Sequence, residues 1–128
     1  MTADLTYLVW AVALTILQLL IAIAGTFTQY SIPVLVGNRE QAIEGKGWVG
    51  RAQRAHRNML ENLTLFAALV LVAHVAGKAN DATALGAQLF FWSRAAFAIV
   101  YVVGIPWLRT LVWTAGLAGM VVILLQLL

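Results

Sequence analysis

The 128-residue sequence contains no cysteine. Disulfides, thiolate metal sites and a cysteine nucleophile are all excluded, so any thiol chemistry must be brought by a ligand. Charge is almost as scarce, at 10% of residues against 62% hydrophobic. Together with a mean hydropathy of +0.90, that balance lies outside the range of soluble domains and describes an integral membrane protein. The net charge of +3 is too small and too scattered to hold nucleic acid, and no metal site is expected. Proline occurs only twice, at Pro33 and Pro106; each marks a break between long helices.

What is present is a succession of apolar runs. A hydrocarbon core about 30 Å thick needs about 20 residues of helix, so the chain has room for one domain of four spans, an all-α membrane bundle covering residues 1–128. No side chain is charged between Asp4 and Arg39, which predicts a first span over about 5–30. It is expected to be retained, because no basic region precedes it and the apolar run is too long for a signal-peptide core. Pro33 and Gly37-Asn38 close it, and residues 39–50 read as a charged, glycine-rich loop.

The uncharged run 62–77 makes only about 24 Å of helix, too short to cross. The second span must start earlier, at about 55, and run to about 77, which draws Asn58 and Glu61 inward and leaves Arg54 and Arg57 at the interface. Lys78-Ala79-Asn80-Asp81 makes the opposite turn. A third span over about 82–104 places Arg94 well inside the bilayer, where an unpaired guanidinium is expensive. Glu61 is its expected partner. Pro106 suits the first turn of a last helix, which spans about 107–128.

Six of the eight Lys and Arg residues fall in the 39–57 segment or at Arg109. Only Lys78 lies at the opposite turn, so the basic side is expected to be cytoplasmic. Helical spacing sorts these residues further. Arg54, Asn58 and Glu61 stand at i, i+4, i+7 and form one stripe, while Arg94, Phe97 and Tyr101 share a face of span three. Arg109 and Thr110 open span four on the same side of the membrane. Arginines supply forked donors for carboxylates, and a helix N-terminus adds partial positive charge, so the zone favours capture of a small anion. A thiol near Arg109 and Thr110 would have its pKa lowered toward the reactive thiolate.

The segment Arg51-Ala-Gln-Arg-Ala-His-Arg-Asn-Met-Leu-Glu-Asn62 resembles the signature of the MAPEG family, the membrane-associated proteins in eicosanoid and glutathione metabolism. Arg94, Tyr101, Pro106 and Arg109 are similar to that family's pattern between spans three and four. The resemblance implies a homotrimer with glutathione bound between neighbouring subunits, opening to the cytoplasm and the adjoining lipid. By position, it implies that Arg54, Arg57, Asn58, Glu61, Arg94 and Tyr101 contact glutathione with His56 beside them, and that Arg109 and Thr110 face the sulfur. Ala115 and Gly119, four apart on span four, would permit close helix contact in such an assembly. The chain departs from the eicosanoid synthases in offering Gln29, Tyr30 and Arg39 at the end of span one and Phe97 on span three. It looks more like a bacterial-type member, placed in the inner membrane with the 39–57 segment in the cytoplasm.

The function that follows is a thiol-dependent transferase or peroxidase acting on lipophilic electrophiles or hydroperoxides that arrive from the bilayer. A non-catalytic lipid-binding or scaffold role on the same fold is the alternative, and a small multidrug-type transporter is a third reading that lacks its customary carboxylate in span one. Arg39, Lys46 and Arg51 read as positive-inside anchors, and His74 as an interfacial histidine. The five tryptophans read as interface anchors or packing. The glycine pattern 45–50 has no preceding strand to make it a dinucleotide site, and the Asn62-Leu63-Thr64 sequon lies inside a span.

Overall fold

The computed structural model describes residues 1–40 and 42–128; Gln41, in the segment expected as a loop, lies outside the described residues. Four long helices are each apolar and long enough to cross a membrane: α1 (Ala3–Gln29), α3 (Trp48–Val75), α4 (Asp81–Val103) and α5 (Pro106–Leu127). A short α2 (Ile32–Val36) follows α1. Sequence reading had placed only a helix end there. Pro33 sits in the first turn of α2, where its missing N–H costs nothing.

Local chemistry sets the helix ends. Thr2 caps α1 by accepting from the Leu5 amide at 3.4 Å. At α4, Asn80 and Thr83 cap each other: the Asn80 side chain accepts from the Thr83 amide at 2.9 Å, and the Thr83 hydroxyl accepts from the Asn80 amide at 2.8 Å. Gly104 ends α4 with φ +94, a left-handed conformation that a side chain would strain, and Ile105 and Pro106 turn directly into α5. The second long helix begins at Trp48 rather than near 55. Hydropathy reports the part of a helix that can lie in lipid; the turns bearing Arg51 and Arg54 are helical as well.

The α3–α4 pair is the middle of the bundle, with α1 packed on one side and α5 on the other. Met59, Phe66, Val70, Ala87, Phe90, Met120 and Ile123 form the buried core, and the Phe66 and Phe90 rings stack at 4.0 Å. Helices in lipid gain little from hydrophobic burial and associate through close packing. The closest crossing is Gly86 of α4 against Gly119 of α5, where a Cβ on either would come within 2.6 Å of the other's carbonyl oxygen. Gly119 is therefore spent inside the chain. It does not offer the surface for contact between copies that its spacing with Ala115 had suggested.

Residues 44–46, just before α3, are tied down on both sides. Gln29 exchanges two hydrogen bonds with the Lys46 backbone, at 3.0 and 2.7 Å, and the Tyr30 hydroxyl donates to Glu44 O at 2.7 Å. From α3, Gln53 accepts from the Gly45 amide at 2.8 Å and donates to the Thr26 hydroxyl at 3.1 Å. Arg51 donates from Nε to Val102 O at 2.8 Å, which joins α3 to the C-terminal end of α4, where cations are favoured. These ties bring the ends of α1, α3, α4 and α5 together on one side of the membrane.

Candidate functional site

The polar stripe on α3 meets α4 and α5 just inside that end. A cavity of about 170 Å³ is lined by Asn58, Phe97, Tyr101, Arg109, Thr110 and Trp113. Four of these, Asn58, Tyr101, Arg109 and Thr110, are residues that sequence reasoning selected. Two further arginines are attached to its walls. Arg54 donates to the Tyr101 hydroxyl at 3.3 Å, and Arg94 donates to Asn58 Oδ1 at 2.7 Å. The Arg109 guanidinium lies 4.9 Å from the Tyr101 ring centre, and that of Arg94 lies 4.2 Å from the Phe97 ring centre. Tyr101 is thus held between two cations, one on its hydroxyl and one on its face.

Arg94 is only 2% exposed. Its stem packs on Gly116 of α5 at the distance of ordinary contact, 3.5 Å from the position of a Cβ there. Beyond the Asn58 bond, Nε and Nη1 have no hydrogen-bond partner among the described residues. The expected pairing with Glu61 does not form, because Glu61 is exposed on the same stripe and the guanidinium turns to Asn58 instead. Asn58 also accepts from Asn62, to its backbone carbonyl at 2.8 Å and to Oδ1 at 3.2 Å. A neutral carboxamide therefore stands where a carboxylate was anticipated, and the charge of Arg94 is not compensated within this cluster.

His56 and Arg57 are not beside the others within one chain. They line a second cleft, of about 350 Å³, between α1 and α3, together with Thr26, Arg39, Gln53, Ile43 and other apolar side chains. Successive residues of a helix are turned by about 100°, so His56, two positions from both Arg54 and Asn58, points away from them. Arg39, read from the sequence as a topological anchor, is part of this cleft; its Nε donates to Leu35 O at 2.7 Å and its φ is +52. Gln53 was also missed. Its signal was available, since a glutamine one turn before Arg57 on a helix entering lipid needs partners, and it finds them in Thr26 and Gly45. Phe97, placed by its spacing on the same face as Arg94 and Tyr101 and noted as a departure from the eicosanoid synthases, is the apolar wall that receives Arg94.

The family model described as the MAPEG family matches residues 5–128, essentially the whole chain. The protein belongs to the MAPEG family. Comparison with curated proteins and with solved structures returns no match. The multi-pass helical bundle and the membership agree: this MAPEG protein is an integral membrane protein whose signature residues gather in two polar clefts on different faces of α3.

Proposed function

We propose that this MAPEG protein is a glutathione-dependent transferase or peroxidase that acts on lipophilic electrophiles or hydroperoxides, as a homotrimer with the thiol held where neighbouring subunits meet. The observation that carries the reading is the convergence of Asn58, Tyr101, Arg109 and Thr110 on one cavity, flanked by Arg54 and Arg94 and lined by no carboxylate. A buried guanidinium whose Nε and Nη1 have no partner among the described residues favours an incoming anion. Glutathione, with its carboxylates, amine and thiol, fits that donor set, and exposed Glu61 is available to its ammonium group.

Size argues for the second subunit. A cavity of about 170 Å³ is smaller than the roughly 300 Å³ at which ligand pockets begin. The other cleft, with Arg39, His56 and Arg57, supplies a complementary polar wall if a neighbouring copy presents it across the opening. Six of eight basic residues lie on this side, which supports a cytoplasmic orientation in the inner membrane.

Bound glutathione would supply a sulfur nucleophile whose electron pair forms the new bond as the leaving group departs. The chain's own residues bind and orient. Arg54 and Arg94 hold carboxylate, Tyr101 fixes the pocket between its two cations, and Arg109 places positive charge at the first turn of α5, where the helix dipole adds to it. One pKa unit of thiol depression is about 1.4 kcal/mol, which one partly desolvated charge pair supplies. Thr110, whose hydroxyl is satisfied only by Pro106 O at 3.4 Å, is free to turn toward sulfur.

Steady-state kinetics with an aryl halide and with cumene hydroperoxide test the assignment. Arg54→Ala should raise the glutathione KM with little change in kcat, whereas Arg109→Ala should lower kcat at saturating glutathione. No thiol-dependent turnover of either substrate by the wild type would overturn the proposal.

A further inference from the structure

The cavity of the proposed site has three aromatic walls, Phe97, Tyr101 and Trp113. Two of them are committed within the chain. The Phe97 ring carries the Arg94 guanidinium at 4.2 Å, the Tyr101 ring carries that of Arg109 at 4.9 Å, and the two rings lie 5.4 Å apart. Trp113 differs: among the described residues no cation and no second ring packs on its indole.

Its position is also unlike that of an anchoring tryptophan. Trp107, in the first turn of α5, is 87% exposed, as suits a ring at the membrane surface. Trp113 stands six residues further in, roughly 9 Å along the helix, and is half-buried. It follows Thr110 by three residues and Arg109 by four, so the three share one face of α5. The indole therefore lies on the bilayer side of the pair proposed to face the sulfur.

A lipophile that reaches a thiol here from the membrane meets the indole first. The face of an indole is electron-rich, the strongest of the natural side-chain rings in this respect. A flat, electron-poor π system gains from stacking on it, whereas a saturated chain gains only ordinary contact. Phe97 and Tyr101 do not offer the same, because a guanidinium already occupies a face of each.

We propose that Trp113 selects the electrophile, favouring a planar conjugated acceptor, an aryl enone in the simplest case, over a saturated lipophile of similar size. The inference rests on the thiol-dependent reading above. In the step concerned, the thiolate electron pair forms a C–S bond at the β-carbon of the enone and the alkene pair moves to the carbonyl oxygen. The resulting enolate takes a proton from water, which replaces the one the thiol gave up. The thiol has added across the double bond; nothing leaves and nothing is oxidised. Trp113 touches the conjugated plane and handles no proton.

The test compares benzylideneacetone with an alkyl enone of the same carbon number, so that the reacting group is the same and only the flat ring is exchanged for a chain. Glutathione consumption by the full-length protein in nanodiscs gives kcat/KM for each, divided by its uncatalysed rate with glutathione. Wild type should favour the phenyl compound. Trp113→Leu should lower that preference by about fivefold, the worth of one aromatic pair, and Trp113→Phe should retain most of it. An unchanged ratio in Trp113→Leu would overturn the proposal whatever happens to the absolute rates, because a packing defect lowers both together. So would a wild type that does not prefer the phenyl compound, or that turns over neither enone. Glutathione-dependent reduction of cumene hydroperoxide by the same wild type would then leave the thiol-dependent reading standing, and its absence would remove both.

Discussion

Replacing Asn58 by leucine should unfold the bundle more readily than any change at Glu61. Among the described residues the Asn58 carboxamide is the sole hydrogen-bond partner of the Arg94 guanidinium, at 2.7 Å, and Arg94 is 2% exposed. A hydrogen bond to a charged group is worth about 1.5–3 kcal/mol, and stranding a buried charge costs about 3–5 kcal/mol. Arg94 keeps its contact with the Phe97 ring, which offsets part of that, so a loss of about 3 kcal/mol is expected for Asn58→Leu. Asn58→Leu combined with Arg94→Leu should recover much of it, because no charge is then left buried. Glu61→Leu should leave thermal stability unchanged, since Glu61 is exposed and does not touch the guanidinium. Asn62→Ala controls for the neutral bonds to Asn58 and should cost about 1 kcal/mol. Thermal unfolding in one mild detergent, followed by tryptophan fluorescence, measures all five proteins. If Glu61→Leu is as damaging as Asn58→Leu, or if Asn58→Leu is neutral, the neutral-partner account of Arg94 is wrong.

Three further outcomes follow from the packing and the site. Gly86→Val should destabilise by about 3 kcal/mol or more by overpacking, because its Cβ would press on the Gly119 carbonyl at 2.6 Å; a melting temperature equal to wild type would contradict that crossing. Gln53→Leu removes the bonds that tie Gly45 to α3 and α3 to Thr26 and should speed amide exchange over residues 43–47, with α4 and α5 unaffected. Native mass spectrometry in mild detergent should show trimers, and a clean monomer or dimer at every detergent concentration would remove the second wall of the proposed site.

The four long helices were legible because uncharged runs of span length are separated by short polar turns, and Arg94 was legible as an anomaly because it interrupts one of them. Its partner was not. Asn58 and Glu61 share a stripe on α3, and choosing between them requires the axial offset of α3 against α4, which depends on side-chain packing such as Phe66 on Phe90. Three residues, about 4.5 Å along the helix, decide between the two. The gathering of Asn58, Tyr101, Arg109 and Thr110 could be anticipated from spacing and shared membrane side together with the family pattern. The separation of His56 and Arg57 into another cleft was obscured by reading a motif as a unit, although neighbours in sequence point to different sides of a helix. Arg39 and Gln53 were hidden for a different reason: their roles depend on how Arg39 returns to Leu35 and how Gly45 meets α3, which no periodicity records.

The central claim is that Arg109 holds a thiolate in this membrane site, and ultraviolet difference absorbance on adding glutathione to the purified protein tests it most directly. At a pH where free glutathione is mostly thiol, wild type should develop the thiolate band in proportion to bound glutathione, and Arg109→Ala should still bind glutathione without developing it. Glutathione binding with no thiolate band in wild type, or an equal band in Arg109→Ala, would contradict the account.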